Sequence, residues 1–385
     1  MYNEVQFSQT TLIAWMSMQE DLWHFSRREL AVTVMSAFET GLSSALTYFA
    51  PRRMGKTEFL RKDIVPYASE KQWAVFYYSF LDSGDQAQPS FQTNLLSFAL
   101  DIGAIQNTAV WNKRVKKMAG QALGFKAELE FDATELTDVG LLEMINVLGK
   151  HSKILLLLDE VQELARNQNN EIFLARLRTA LDINKDSVKV LFTGSSREGL
   201  RQMFSHASAP FFHFGQNLDF PPLEKAFTDH LCDVFSHVTA RKLDKEDLWN
   251  AFQKLEKVPQ LIRSLVERMA LNPGIALADS LSQLLSNLHE DRGYPNQWHT
   301  LSELQQLLVL AIIRDDALFA KEALLVLRNS LGVDAIKIST VQSALRTLER
   351  KRLIIKSYVD RKYYLEDPNF ASWVASNFEQ VVPIS

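Results

Sequence analysis

Short apolar runs alternate with longer segments of helical periodicity along the first part of the chain. Five of these runs predict β-strands, at residues 44–49, 73–80, 153–158, 188–192 and 211–220. The run at residues 155–158 consists of four leucines, which is typical of a strand buried on both faces of a parallel sheet. The pattern therefore predicts an α/β fold with a central parallel sheet.

The rest of the chain has helical periodicity until two short strand patterns close it. Apolar positions recur at helical spacing from residue 223 to about residue 289, and residues 294–297 indicate a linker. Three further helices are predicted at residues 301–313, 321–331 and 339–350, before strands at 353–358 and 362–365. This order is typical of a winged helix-turn-helix whose wing turns at residues 359–361. We therefore expect a core at residues 1–222, a helical lid at 223–293 and a winged helix-turn-helix domain at 294–385.

Two local signals predict how helices of the core begin and end. Ser26, with Glu29 three residues later, predicts a capping box at the start of the first helix. Pro66 is expected to stop the helix that begins at Gly55.

The segment that follows the first strand has the pattern of a nucleotide-binding P-loop. It consists of Pro51, Arg52, Arg53, Met54, Gly55, Lys56 and Thr57. The backbone N–H groups of such a loop and the start of the next helix bind phosphates, Lys56 reaches the β- and γ-phosphates, and the Thr57 hydroxyl holds Mg²⁺. Ala50 stands where the standard pattern begins with glycine. Taken alone, the segment also fits an exposed turn before an amphipathic helix.

Two carboxylates follow the leucine-rich strand at its carboxyl end, where the ligand crevice of a parallel sheet lies. We expect Asp159 to hold Mg²⁺ through water and Glu160 to activate the water that attacks the γ-phosphate. Ser195 follows the fourth strand and is a candidate to hydrogen-bond that water or the γ-phosphate. The alternative for Ser195 is an ordinary helix cap in a strand-to-helix turn.

Composition agrees with a globular α/β protein and excludes some other classes of protein. The 385 residues are 46% hydrophobic, and the single cysteine excludes a disulfide framework. The first residues lack a signal-peptide pattern, and the longest apolar runs are far below membrane-spanning length, so we expect a cytoplasmic protein without a membrane partner. The net charge of −4 provides no general attraction to nucleic acid.

Positive charge is concentrated near the end of the chain. Residues 346–362 contain seven basic and two acidic residues. Arg346, Arg350, Arg352 and Arg361 are candidates for contacts with the phosphates of duplex DNA. Winged helices also bind other proteins or pack against neighbouring domains, so the alternative is a protein contact.

The motifs together resemble the P-loop ATPases of the archaeal-ATPase type, in the signal-transducing (STAND) branch of the AAA+-like enzymes. The resemblance rests on residues 25–30, 51–57, 155–164, 192–196 and 220–223, which lie in the family's order. It implies a sheet in the order 5-1-4-3-2, a helical lid and a C-terminal winged helix. It also implies that ATP and Mg²⁺ are bound and that the nucleotide drives a switch. The segment at residues 257–260 lacks the glycine-rich turn that many relatives have before its proline.

These observations predict a slow ATPase that acts as a molecular switch on DNA or on a DNA-bound partner. One alternative is a nucleotide-controlled regulator of a partner protein, or of a homo-oligomer, without direct DNA binding. Another is a protein that holds its nucleotide as a structural ligand.

Overall fold

The computed structural model describes residues 21–81, 87–107, 109, 111, 133–167, 170–204, 209–291, 294–356 and 361–378. The chain divides into two compact units. The first contains residues 1–252 and 257–260, and the second contains residues 253–256 and 261–385. Each unit is described by itself.

A five-stranded sheet forms the centre of the first unit. Its strands are β1 (Ala45–Phe49), β2 (Ala74–Ser79), β3 (Ile154–Asp159), β4 (Val188–Gly194) and β5 (Gln216–Asp219). Every strand pair is parallel, and the strands lie in the order β2-β3-β4-β1-β5. This is the order 5-1-4-3-2 that the resemblance implies, so the predicted fold class of the core is confirmed.

Helices connect and follow these strands. In chain order they are α1 (Arg28–Glu39), α2 (Lys56–Glu58), α3 (Val65–Glu70), α4 (Ala87–Asp101), α5 (Ala133–His151), α6 (Glu171–Ile183), α7 (Arg197–Phe204), α8 (Lys225–Thr239) and α9 (Lys245–Lys254). A π-helix over Phe59–Ile64 joins α2 to α3, and a 3₁₀-helix over Val161–Arg166 follows β3.

The side chains of β3 enter two separate apolar layers, because successive residues of a strand point to opposite faces of the sheet. Leu155 and Leu157 belong to one layer, and Leu156 and Leu158 belong to the other. All four leucines have no exposed surface, and each burial stabilises the fold by about 1.5 to 3 kcal/mol. This double burial explains the uninterrupted leucine run and fixes the strand whose end carries Asp159.

The helix after the P-loop does not end at Pro66, as the sequence analysis expected. Helical backbone continues to the end of α3, with Pro66 near the start of that helix. The Val65 N–H donates to the Leu60 carbonyl, five residues back, which is the π-helical pattern. Proline has no N–H to donate, and its ring collides with the carbonyl four residues earlier in an α-helix. A widened turn before Pro66 is therefore compatible with a continuous helix.

Three other local predictions were wrong. The N-cap of α1 is Arg27 and has no side-chain cap, so Ser26 does not form a capping box. The fifth strand covers only β5, because Phe211 and Phe214 lie in a turn and pack around Phe192. Residues 294–297 are part of a helix whose aromatic side chains are buried, and not a linker.

The second unit is helical with one small sheet. After α10 (Pro259–Leu271), it contains α11 (Leu277–Asp291), α12 (Tyr294–His299), α13 (Glu303–Ile313), α14 (Lys321–Leu331), α15 (Ile338–Arg350) and α16 (Pro368–Phe378). The antiparallel pair β6 (Ile354–Lys356) and β7 (Tyr363–Leu365) lies between α15 and α16. Val359 and Asp360 of the predicted wing lie outside the described residues. None of the described helices is long and apolar enough to cross a membrane.

Candidate functional site

The predicted P-loop connects the carboxyl end of β1 to the first turn of α2. Two of its residues have left-handed backbone, with φ of 71° at Arg53 and 86° at Gly55. Gly55 directly precedes α2 and adopts this conformation without a steric penalty. Pro51, Arg52 and Arg53 are exposed. The loop thus has the sharp local bends that a phosphate-binding backbone needs.

Lys56 lies under this loop and is only 4% exposed. Its Nζ donates to the carbonyl oxygens of Ala50 and Pro51, at 2.6 and 3.0 Å. Burial lowers the pKa of Lys56, and the negative charges of Glu160 and Asp159 oppose that shift. A buried ammonium group therefore lies close enough to the two carboxylates for their charges to affect its pKa.

Asp159 collects hydrogen bonds from several elements of the core and is 1% exposed. Its Oδ2 accepts from the hydroxyls of Thr57 at 2.6 Å and Tyr77 at 3.2 Å. Its Oδ1 accepts from the Thr193 hydroxyl and from the backbone N–H of Glu160 at 3.1 Å. Burial and the Asp159 charge raise the pKa of Tyr77, which therefore remains a donor. These bonds fix the carboxylate beside the first turn of α2.

Glu160 leaves the strand with a left-handed backbone, at φ 53°. This bend brings its side chain to the end of β4, where Oε2 accepts from the Ser195 hydroxyl at 2.6 Å. The same oxygen accepts from Nε2 of Gln162 at 2.5 Å. Among the described residues, no donor contacts Oε1 of Glu160, and the residue is partly exposed. One carboxylate oxygen is thus held by two side-chain donors, whereas the other accepts from none of the described residues.

The structure brings five of the predicted side chains into one site: Lys56, Thr57, Asp159, Glu160 and Ser195. Sequence reasoning missed three further members, which are Tyr77, Gln162 and Thr193. Tyr77 and Thr193 lie on β2 and β4, the two neighbours of β3, so the expected strand order was a signal for both. The signal for Gln162 was weaker, since it is one of three polar residues in the turn Val161–Arg166.

The chemistry of the donor set fits Mg²⁺. The Thr57 hydroxyl and the Asp159 carboxylate are hard oxygen donors only 2.6 Å apart. Mg²⁺ in nucleotide sites commonly takes one or two protein oxygens, with phosphate oxygens and waters completing its shell. Thr57 and Asp159 could therefore hold the ion directly or through water.

A buried carboxylate anchors the segment that precedes α1, here called the leading segment (residues 24–27). Oδ1 of Asp63 accepts from the Ser26 hydroxyl at 2.8 Å and from the Arg27 backbone N–H at 2.9 Å. Nε2 of His24 lies 3.1 Å from the same oxygen. Asp63 belongs to the π-helix that continues from the P-loop, so the leading segment is attached to that helix.

Arg27 extends this attachment to the end of the last strand. Its guanidinium donates to the Pro221 carbonyl at 2.5 Å and lies 4.3 Å from the centroid of the Phe220 ring. Burial lowers the pKa of Arg27 to about 10. The leading segment therefore joins two elements that flank the P-loop.

The candidate DNA contacts lie in the second unit. All four are exposed: Arg346, Arg350, Arg352 and Arg361. The neighbouring Lys362 is engaged by the Asp315 carboxylate, with Nζ to Oδ2 at 2.6 Å. This ion pair neutralises part of the positive charge at the predicted wing.

Solved structures that are similar to this chain in fold include the following two. A Walker-type ATPase of Pyrococcus abyssi is 15% identical, with a TM-score of 0.51, and the match covers 91% of this chain and 95% of that protein. The ADP form of the Aeropyrum pernix ORC2 protein is 14% identical, with a TM-score of 0.50, and the match covers 91% of this chain and 92% of that protein. No protein-family model matches the sequence, and no curated protein matches it significantly. With the strand order and the loop after β1, these likenesses show that the chain has the fold of the AAA+-like P-loop ATPases.

Proposed function

We propose that this protein binds ATP with Mg²⁺ and hydrolyses it slowly, as a nucleotide-driven switch. The observation that carries the proposal is the convergence of a buried lysine and a loop with left-handed bends on two carboxylates at the end of a buried strand. The two similar structures, of a Walker-type ATPase and of a protein in its ADP form, support it.

Each side chain has a distinct task in this proposal. Lys56 and the loop backbone bind the phosphates, and Thr57 and Asp159 would hold Mg²⁺, which would supply charge neutralisation for the phosphates. Glu160 accepts a proton from the water whose oxygen attacks the γ-phosphorus. The bond from that phosphorus to the bridging oxygen then breaks, and ADP retains the electron pair. Ser195 donates a hydrogen bond to the water or to the γ-phosphate.

Lys56→Ala tests nucleotide binding. The substitution removes the ammonium group that interacts with the terminal phosphates, so ATP binding should become undetectable in calorimetry. Lys254→Ala removes an exposed lysine of the same chain and is the matched control. Unchanged ATP affinity in a folded Lys56→Ala protein would contradict the proposal.

Glu160→Gln tests hydrolysis separately from binding. An amide cannot accept the proton of the attacking water, so single-turnover hydrolysis should fall by about 100-fold or more while ATP affinity changes little. Equal single-turnover rates would remove Glu160 from its assigned role. ADP that co-purifies and never exchanges would instead indicate a structural ligand.

A second candidate function is contact with duplex DNA through the C-terminal module, which we propose is a winged helix in a three-part chain of core, lid and winged helix. The exposed arginines of α15 and of the hairpin favour this function over a purely structural module. Such contacts would position the module on the phosphate backbone with little reading of sequence. If the module instead binds a protein, nucleotide-dependent assembly should occur without DNA.

A triple substitution tests the DNA contact. Replacing Arg350, Arg352 and Arg361 by alanine should weaken binding about equally for unrelated duplexes. It should also reduce the slope of affinity against salt concentration by up to about three units. The DNA affinity of the intact chain would be compared with that of the triply substituted chain. The ATPase rate of each would be measured with and without duplex DNA. Unaltered DNA binding by the triple variant would favour the partner-protein alternative.

A further inference from the structure

Gln162 occupies a closely fitted position between the ends of β3 and β4. It is only 1% exposed. A methyl group on Gly194 would lie 2.7 Å from its Oε1, and one on Gly199 would lie 2.6 Å from its Cβ. The two glycines therefore leave room for the glutamine and for little else. A buried amide in such a confined space must have hydrogen-bond partners to be stable.

Its partners are two residues of the candidate site, Glu160 and Ser195. Nε2 donates to Oε2 of Glu160 at 2.5 Å and lies 3.3 Å from the Ser195 hydroxyl oxygen. Oε1 accepts from the backbone N–H of Ser195 at 3.2 Å. Because Glu160 as a carboxylate can only accept, the amide must present its nitrogen to Glu160. Gln162 thus contacts both Glu160, the proposed base, and Ser195, the proposed donor to the water or the γ-phosphate.

The two donors to Glu160 differ in what else they can do. Ser195 has a single hydroxyl proton, which it donates to Glu160 in this structure. If Ser195 donates that proton to a γ-phosphate oxygen or to the attacking water, it releases Glu160. Gln162 lies on the same 3₁₀-helix that continues from Glu160, and its amide has no such competing task.

We propose that Gln162 is the positioning residue for Glu160 in the proposed hydrolysis. It holds Oε2 whether or not Ser195 has turned to the nucleotide, so that Oε1 remains directed to the attacking water. Ser195 is then the exchangeable donor and Gln162 the permanent one. The inference rests on the proposed ATPase function and assigns a role to a residue that does not itself touch the phosphates.

Two substitutions of similar size test this role. Gln162→Met removes the donor, and it should lower single-turnover hydrolysis by about 10- to 100-fold with ATP affinity changed less than about 2-fold. Gln162→Glu restores a donor only when the new carboxyl is protonated. Its hydrolysis should therefore be closest to wild type at acidic pH and fall as pH rises, relative to the wild-type profile.

The outcomes separate this inference from the ATPase proposal. Absence of ATP binding and hydrolysis in the wild type would refute the ATPase proposal and this inference with it. A wild type that hydrolyses ATP together with a Gln162→Met protein of undiminished rate would overturn the positioning role alone. So would a loss in Gln162→Met that equals its loss of folded protein, or a Gln162→Glu profile parallel to wild type.

Discussion

Replacing Thr193 by valine tests how firmly the candidate site is held together in the absence of nucleotide. Thr193 has no exposed surface, and its hydroxyl donates to Oδ1 of the buried Asp159. Valine keeps the shape of the side chain and removes the donor. A hydrogen bond to a charged group contributes about 1.5 to 3 kcal/mol, so the free energy of unfolding should fall by about this amount.

Thr228→Val is the matched control. Thr228 is equally buried, but its hydroxyl donates to a backbone carbonyl, that of Lys225, at 2.8 Å. A hydrogen bond between neutral groups contributes about 0.5 to 1.5 kcal/mol, and the smaller loss is expected here. Both substitutions replace a hydroxyl by a methyl group at a fully buried position. The difference between the two losses in stability therefore measures the effect of the charge on Asp159.

Urea unfolding followed by circular dichroism measures both variants. With a slope of about 2 to 3 kcal/mol per molar urea, Thr193→Val should lower the midpoint by about 0.5 to 1.5 M. Its slope should equal that of wild type, since the surface exposed on unfolding does not change. Equal midpoints for Thr193→Val and Thr228→Val would show that the bond to Asp159 is not stronger than an ordinary one.

Three further predictions address the rest of the site. Burial lowers the pKa of Lys56 below 10.5, so the native chain binds this proton less tightly than the unfolded chain does. The free energy of unfolding of the wild type, relative to that of Lys56→Met, should therefore rise as pH increases toward 10.5. Tyr77→Phe removes a donor to Asp159 and should weaken Mg²⁺ binding in the presence of ATP by about 10-fold, measured by titration of Mg²⁺. Ser26→Ala should lower the urea midpoint by the equivalent of about 0.5 to 1.5 kcal/mol, because the buried carboxylate of Asp63 loses its hydrogen bond from the exposed Ser26 hydroxyl.

Each of these has a result that would contradict it. A stability difference between wild type and Lys56→Met that falls with rising pH would reverse the sign argued from burial. Unchanged Mg²⁺ dependence in Tyr77→Phe would mean that Asp159 is oriented without the tyrosine. Thr33→Ala, which removes only an exposed bond within α1, is the control for Ser26→Ala and should be nearly neutral.

The strands and the centre of the site were accessible from the sequence because both depend on short-range pattern, whereas the strand order was implied only by the resemblance to a known family. The leucine run determines a doubly buried strand, and the carboxylates that follow it must emerge at its carboxyl end. The π-helix was not accessible, since Pro66 alone predicts a stop and only the packed helix shows that the chain continues. Gln162 was not accessible either. Its role depends on a contact with Ser195, which is 33 residues away.

The position of β1 has a consequence for how the chain assembles during synthesis. β1 pairs with β4 on one side and β5 on the other, although it leaves the ribosome before both. The contact of Arg27 with Pro221 forms still later, because Pro221 is 194 residues further along the chain. At about 5 to 20 residues per second, that interval lasts about 10 to 40 s. Until β4 has been synthesised, the apolar β1 has no neighbouring strand, so nascent chains that end before β4 should be bound by chaperones that recognise exposed apolar segments.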